Sequence, residues 1–184
     1  MDLTSHFRCM ARNNLWSNDR IYRAVQALRP GEFEAVRTSF FPSLKETLNH
    51  ILSVDIYYLD MIEEGGEGRR VFDRFVDFDD AVALARAQAE FDRRLIGCCD
   101  RLTEADLDRP VLSDRGEAGQ IPERIGDLLA HLYIHQIHHR GQVHAMLSGT
   151  SAAPPQLDEF FLDYDLQFRS EEVERLGLQA SATS

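Results

Sequence analysis

Apolar residues recur every three or four positions in four long stretches of this chain, which is the pattern of helices that bury one face. The four stretches cover residues 3–28, 43–63, 79–102 and 122–148. Four amphipathic helices joined by connectors can pack around a shared core, and such bundles often carry metal sites between facing helices. The sequence therefore predicts an all-α protein built as a four-helix bundle.

Local signals predict where these helices begin and end. Pro30-Gly31 is expected to end the first helix. Ser43 and Glu46 have the spacing of a capping box, so the second helix is expected to begin near Ser43. Pro122 suits the first turn of the fourth helix, and Gly149 suits its C-terminal stop. The third helix is expected to turn these residues inward: Val82, Ala85, Ala89, Phe91, Leu95 and Ile96.

The connectors are long, which makes a plain bundle with tight turns less certain. Residues 64–78 and 109–121 contain glycines and are expected to be irregular crossover loops, the second open to an extended piece near its start. The bulky side chains of residues 156–168 are expected to cover one end of the bundle. We predict one bundle domain over residues 1–176 and a disordered tail over residues 177–184.

Composition narrows the class of protein. The 184 residues suit one domain, and 43% apolar with 28% charged residues is ordinary for a soluble globular chain. A formal charge of -11 argues against electrostatic binding of nucleic acid, which needs a basic face. No apolar run is long enough to span a membrane, and the N-terminus lacks a secretory signal. Three cysteines without such a signal favour a reducing cytoplasm.

The most unusual feature is a cluster of histidines, since five of the seven fall within residues 131–144. His135 and His139 are one helical turn apart, so both imidazoles can reach one metal ion. The zinc-protease motif is excluded, because Gln136 stands where that motif has its glutamate. The alternative is an amphipathic helix that carries histidines along its polar edge.

Neighbouring positions on the same helix suggest supporting roles. His131, His138 and Gln142 lie within about 60° of His135 around the helix, where partners of the metal ligands are expected. His144 lies on about the opposite face and is expected to be a solvated surface residue.

Residues on the other helices are harder to assign. His50 lies among the apolar residues of the second helix, where a lone histidine is usually a partly buried residue with its own partner. Glu46 and Tyr57 share its face and are weak candidates for catalytic roles, although capping explains Glu46 and core packing explains Tyr57. Asn14 and Asn18 share a face of the first helix and are expected to be exposed, unless they donate hydrogen bonds to a site.

Three segments together resemble the DinB superfamily, a group of metal-binding helical bundles. They are residues 14–18 (Asn-Leu-Trp-Ser-Asn), residues 43–52 with Leu-Asn-His-Ile-Leu, and residues 131–142 with the core His-His-Arg-Gly-Gln. The resemblance implies that His50, His135 and His139 are three ligands of a divalent metal ion, zinc or nickel, with one coordination position left open for water. It also implies a homodimer.

For function, the resemblance implies a small-molecule substrate and a metal-dependent enzyme. A metal held by three neutral histidines is a Lewis acid, which can generate hydroxide for a hydrolase. The resemblance implies a second reaction, S-transfer, in which such a metal presents the thiolate of glutathione, mycothiol or bacillithiol. Both reactions stay open, and no general base is identified. The alternative is a non-enzymatic, stress-response bundle in which the metal is structural.

Overall fold

The computed structural model describes residues 2–178 and contains seven α-helices and two β-strands within them. The helices are α1 (Leu3–Gln26), α2 (Leu44–Ile62), α3 (Arg70–Arg74), α4 (Ala81–Arg101), α5 (Glu104–Asp108), α6 (Ile125–Leu147) and α7 (Leu166–Leu176). The strands are β1 (Pro110–Asp114) and β2 (Gln120–Arg124). The four long helices α1, α2, α4 and α6 form the predicted bundle, which confirms the all-α fold class.

The capping signals explain where two of the long helices begin. At the start of α2, the Ser43 hydroxyl oxygen accepts a hydrogen bond from the backbone N–H of Glu46 at 3.1 Å and donates one to the Glu46 carboxylate. At the start of α4, the Asp80 carboxylate accepts from the N–H of Ala83 at 2.8 Å. These contacts satisfy backbone donors that a helix leaves free in its first turn.

The start of the fourth long helix was predicted wrongly. Pro122 lies in β2, opposite Leu112 of β1, and α6 begins only at Ile125. Proline is tolerated there because a two-stranded sheet has only edge strands, in which a missing N–H need not break a ladder. The connecting turn uses Gly116 and Gly119 at φ of 66° and 77°, a region that favours glycine.

Val82 was also predicted wrongly, because 52% of its surface is exposed. The buried stripe of α4 runs instead through Leu84, Phe91 and Leu95. Ala81 and Ala85, one turn apart, lie against the core beside this stripe. Val82 falls outside it and faces solvent from the first turn of the helix.

Within the bundle, α1 lies against α4 and α2 lies against α6. The shared core holds fully buried leucines and isoleucines from all four helices, namely Ile21, Leu48, Ile51, Leu52, Leu59, Leu84, Leu95, Leu129 and Leu132. Apolar burial of this extent is the main favourable term in folding. The α2–α6 contact matters for the site, because these helices carry the three candidate metal ligands.

The C-terminal segment covers part of the bundle, as predicted, but it packs along the middle of α1 and partly forms a helix, α7. Phe160 packs on the fully buried Trp16 with ring centroids 5.4 Å apart, and the Trp16 indole donates to Glu172 of α7 at 2.7 Å. Leu178 is 6% exposed and belongs to the same cluster, so packing continues past the predicted domain boundary at residue 176. Residues 179–184, the rest of the predicted disordered tail, lie outside the described residues.

Across residues 2–178, none of the helices combines the length and the apolar character that a bilayer-crossing segment requires. The three cysteine thiols are free, and Cys98 and Cys99 are buried.

Replacement of a core leucine tests the packing of α6. Leu129→Ala is expected to lower the free energy of unfolding by about 2 to 5 kcal/mol, because Leu129 is 0% exposed and a cavity would replace its side chain. Ile134→Ala, on the same helix at 67% exposure, serves as the control and is expected to change it by no more than about 0.5 kcal/mol. Urea unfolding followed by circular dichroism measures both, and equal effects would contradict the orientation of α6.

Candidate metal centre

Three histidines from two neighbouring helices converge beside the bundle core. The Nε2 atoms of His50 on α2 and His135 on α6 are 3.1 Å apart. The ring centroids of His135 and His139 are 4.4 Å apart, and those of His50 and His139 are 4.7 Å apart. One nitrogen from each ring lies within 4.8 Å of the other two, so the predicted ligand set is brought together.

Gln142 supports His139 from the next turn of α6. The Nδ1 atom of His139 lies 2.8 Å from Oε1 of Gln142, which can only accept, so His139 donates through Nδ1 and keeps its Nε2 lone pair free. The Gln142 amide nitrogen in turn donates to Nε2 of His138 at 3.1 Å, and that contact fixes which way the amide points. This is the arrangement by which outer residues orient a metal-binding imidazole.

His131 and His144 of α6 each contact a residue outside the three-histidine cluster. His131 is exposed and packs on the Tyr58 ring with centroids 4.8 Å apart. His144 was predicted to be a solvated surface residue, but it is half-buried. Its Nε2 lies 3.0 Å from the carbonyl oxygen of Pro155. That contact ties the segment after α6 to the helix.

Burial keeps the clustered imidazoles neutral. Burial, together with the neighbouring His139, lowers the pKa of His50 to about 4. Burial and the surrounding histidines lower the pKa of His135 to about 3. Burial also lowers the pKa of His139, although its contact with Gln142 opposes the shift. Neutral imidazole is the form that binds a metal, because the lone pair must be free.

The donor set fits a divalent metal ion. Two imidazole nitrogens on a tetrahedral zinc ion, each about 2.0–2.1 Å from it, are separated by about 3.3 Å, close to the 3.1 Å between His50 and His135. Nδ1 of His135 is buried without a hydrogen-bond partner in the described part of the chain, so the polar contact of this ring is made through Nε2. Among residues 2–178, no cysteine or carboxylate joins the three histidines as a fourth ligand.

Phe41 forms an aromatic wall of the site that the sequence did not single out. Its ring lies 4.2 Å from that of His50 and 5.7 Å from that of His139, measured between centroids. It belongs to the connector before α2, where no periodic pattern predicts which side chains turn inward. Only its position two residues before the Ser43 cap offered a clue.

A cavity of about 510 Å³ adjoins this site and shares Gln142 with it. It is lined by Arg37, Thr38, Ser39, Phe40, Gln142, Ala145, Met146 and Gly149. Arg37 is the charged member of this lining, and its guanidinium donates to the carbonyl oxygens of Ala35 and Glu32 at 2.7 Å. Cavities of about 630 and 670 Å³ lie elsewhere and have no histidine in their lining.

The two weak catalytic candidates, Glu46 and Tyr57, each make a hydrogen bond outside the histidine cluster. Glu46 is exposed and accepts from the Ser43 hydroxyl, which is the capping contact. The Tyr57 hydroxyl donates to the backbone carbonyl of Asp114 in the hairpin, and its ring packs on Phe72. Both contacts are structural and give no support to a catalytic role.

The expected exposure of Asn14 and Asn18 was wrong, because the two side chains are 1% and 3% exposed. Both amide oxygens accept hydrogen bonds from Arg140 of α6, the second at 3.1 Å. Both amide nitrogens donate to Asp92 of α4. These residues therefore join three helices inside the bundle rather than forming part of the histidine cluster, and Arg140 braces α6 against α1.

The lowered pKa values predict how the metal-free protein responds to acid. At pH 6.5, the ordinary imidazole midpoint, both His50 and His135 are expected to be neutral, since their pKa values are about 4 and 3. The unfolded chain takes up these protons first, so stability present above pH 6.5 is lost as the pH falls towards the folded values. Ring-proton NMR titration measures the midpoints, with the urea-unfolded chain as reference; midpoints near 6.5 in the folded protein would refute the burial argument.

Comparison with known proteins places this arrangement in a family. The model of the DinB family matches residues 3–171. Protein DinB of Bacillus subtilis strain 168 is 24% identical over 157 residues, which cover 77% of this chain and 85% of that protein.

A similar fold has been solved by crystallography for a DinB-like protein of Bacillus subtilis, YjoA. The TM-score is 0.56 at 17% identity, with 76% of this chain and 90% of that chain covered, so the likeness concerns the fold alone. The family match spans the bundle and all three clustered histidines, and the chain belongs to the DinB family.

Proposed function

We propose that this protein is a metal-dependent enzyme whose divalent ion, zinc or nickel, is held by His50, His135 and His139. The observation that carries the proposal is the convergence of three neutral imidazoles from two helices, with no fourth protein ligand among the described residues. Structural zinc sites are normally closed by four protein ligands, whereas catalytic sites keep a position open. The site fits the second class.

When bound, a divalent ion with three neutral ligands supplies Lewis acidity, which lowers the pKa of a coordinated water or thiol. Around the ion, residues of the chain would orient the ligand rings and shield the site from water. Gln142 holds the His139 ring by accepting from Nδ1, and Phe41 excludes water from the side of His50 and His139. The coordination position without a protein ligand would be available to the substrate.

The cavity that shares Gln142 with the histidine cluster supports the proposal of a small-molecule substrate. Arg37 gives it a positive charge within a chain whose formal charge is -11, and Phe40 and Met146 give it apolar surface. This combination suits a small acidic molecule, such as a low-molecular-weight thiol that carries carboxylates. We therefore place thiol S-transfer first and hydrolysis second. A homodimer and a cytoplasmic location stay predictions from the sequence.

Metal content is the first test. Elemental mass spectrometry of untagged wild-type protein is expected to find near-stoichiometric zinc or nickel, and His50→Ala and His135→Ala are expected to lose it, because each removes one of three ligands. His144→Ala is the matched control, since this histidine of α6 contacts Pro155 and not the cluster. Circular dichroism checks that all variants keep their helices.

The same preparations separate the enzyme from the structural alternative. A structural metal predicts that chelation unfolds the bundle, whereas the enzyme proposal predicts a folded metal-free protein that can be reloaded. The cobalt-loaded protein then tests the substrate class: a charge-transfer absorption on adding glutathione supports a bound thiolate. Wild-type protein that carries no metal and takes up neither zinc nor nickel would overturn the proposal.

Gln142 offers a test of how the site is oriented. Gln142→Leu is expected to weaken zinc affinity by roughly 10–100-fold, because Nδ1 of His139 loses its acceptor and the ring is no longer held. Gln142→Glu keeps an acceptor at the same reach and is expected to retain most of the affinity. Competition with a chromophoric chelator measures both, and equal losses in the two variants would show that the contact with His139 is not the cause.

A further inference from the structure

A polar network occupies the centre of the bundle, behind the histidine cluster. It comprises Asn14 and Asn18 of α1, Asp55 of α2, Gln88 and Asp92 of α4, and Gln136 and Arg140 of α6. Each of these side chains is at most 4% exposed. Buried polar atoms are costly unless they are hydrogen-bonded, so the network can be examined atom by atom.

The charges of this network do not balance if every group keeps its usual form. Arg140 is its one cation, and Asp55 and Asp92 are two potential anions. Arg140 donates to the amide oxygens of Asn14, Asn18 and Gln136, and no carboxylate of the described residues lies within ion-pair distance of it. An uncompensated buried charge is far less stable than its neutral form, which favours a proton on one aspartate.

Asp92 is the aspartate that stays ionised. Its Oδ1 accepts from the amide nitrogens of Asn14 at 3.0 Å, Asn18 at 3.2 Å and Gln88 at 3.2 Å. Its Oδ2 accepts from Asn18 at 3.0 Å. All of these partners donate, so a proton on either oxygen of Asp92 would face a donor and find no acceptor.

Asp55, in contrast, has one carboxylate oxygen without a hydrogen-bond partner. Its Oδ2 accepts from the amide nitrogens of Gln88, at 2.9 Å, and Gln136, but its Oδ1 is buried without any partner. Oε1 of Gln88 is likewise buried without a partner. The orientation of the Gln88 amide is fixed, because its nitrogen faces carboxylate oxygens of both Asp55 and Asp92.

We propose that Asp55 is kept as a neutral carboxylic acid, with its proton on Oδ1 donated to Oε1 of Gln88. One proton then satisfies both unpartnered acceptors, completes a paired acid–amide contact between α2 and α4, and leaves the interior with one cation and one anion. Asp55 becomes the hub that joins α2 to α4 through Gln88 and to α6 through Gln136.

The surroundings of Asp55 agree with this assignment. Burial raises the pKa of Asp55 well above its usual value, and Asp92 of α4 raises it further, whereas the Gln88 contact and Arg140 of α6 oppose the shift. Tyr22 faces the two aspartates from α1, and burial raises its pKa, so it stays neutral. Burial raises the pKa of Asp92 only to about 6, which leaves it ionised at neutral pH.

Asp55 has a second role, in positioning the helices that carry the histidine cluster, and this role rests on the proposed metal site. Gln136 directly follows His135 on α6, and Asp55 lies five residues after His50 on α2. The bond from Gln136 to Asp55 therefore fixes the register of the two helices that supply the ligands. Asp55 acts as a positioning residue, because it touches Gln136 and not the histidines.

Infrared spectroscopy and two matched substitutions test whether Asp55 carries a proton at neutral pH. Asp55→Asn reproduces a neutral acid, with the amide nitrogen donating where the proton did, so stability at pH 7 is expected to be retained. Asp92→Asn places an N–H₂ group against amide donors and is expected to lower stability clearly. At pH 7 the wild type is expected to show the carbonyl stretch of a protonated carboxyl group, and Asp55→Asn is expected to lack it.

The pH dependence gives an independent readout with a defined sign. The unfolded chain loses the Asp55 proton near the ordinary value of 3.8, whereas the folded protein keeps it, so wild-type stability falls as the pH rises above that value. Relative to Asp55→Asn, the equilibrium constant for folding is expected to drop by up to about tenfold per pH unit. A purely structural contact would leave this difference flat.

The outcomes separate the two parts of the inference. No protonated-carboxyl band, or an Asp55→Asn protein that is as unstable as Asp92→Asn, means that Asp55 is ionised and overturns the proposal. If the proton is present, zinc affinity tests positioning: Asp55→Ala is expected to bind more weakly and Asp55→Asn like the wild type. Failure of the wild type to bind zinc refutes the proposed function but leaves the infrared result to decide the proton.

Discussion

The contact between α2 and α6 is the interaction on which the candidate site depends, because each helix supplies part of a single cluster. Apolar packing alone is non-directional and sets helix register weakly. A hydrogen bond has a narrow range of distance and angle, and a slip of one turn, about 5.4 Å, would break it. The bond from Gln136 to Asp55 therefore specifies the register that aligns His50 with His135 and His139.

The geometry of α6 explains how one helix serves both the interior and the site. His135 and His139 point to the cluster, whereas Gln136 and Arg140, each one residue later and about 100° further round, point into the bundle. The outer face carries the exposed Ile134, 67% accessible. Polar residues thus lie on two faces of α6, and its pattern is less clearly amphipathic than that of a helix with a single wet side.

Much of the fold could be predicted from the sequence, because periodicity and caps act locally. The start of α2 follows from the Ser43 cap, and the stretch predicted over residues 79–102 agrees closely with α4. The hairpin that contains Pro122 was missed, because proline suits both a first helical turn and an edge strand, and only pairing with Leu112 decides between them. The α6 histidines could be found by spacing, whereas the burial of Asn14 and Asn18 depends on Asp92 and Arg140, far away in the chain.

The separation of the interior network from the histidine cluster bears on what a metal ion would do here. The helices are held in register by buried amides and by Asp55, Asp92 and Arg140, all of which act without any ion. His50 and His135, by contrast, are only partly buried at the edge of the core. Under the proposed function, the interior network would hold the helices in register, and a ligand set at the edge of the core would be able to exchange its ion and meet a substrate. That division favours a catalytic ion over a structural one.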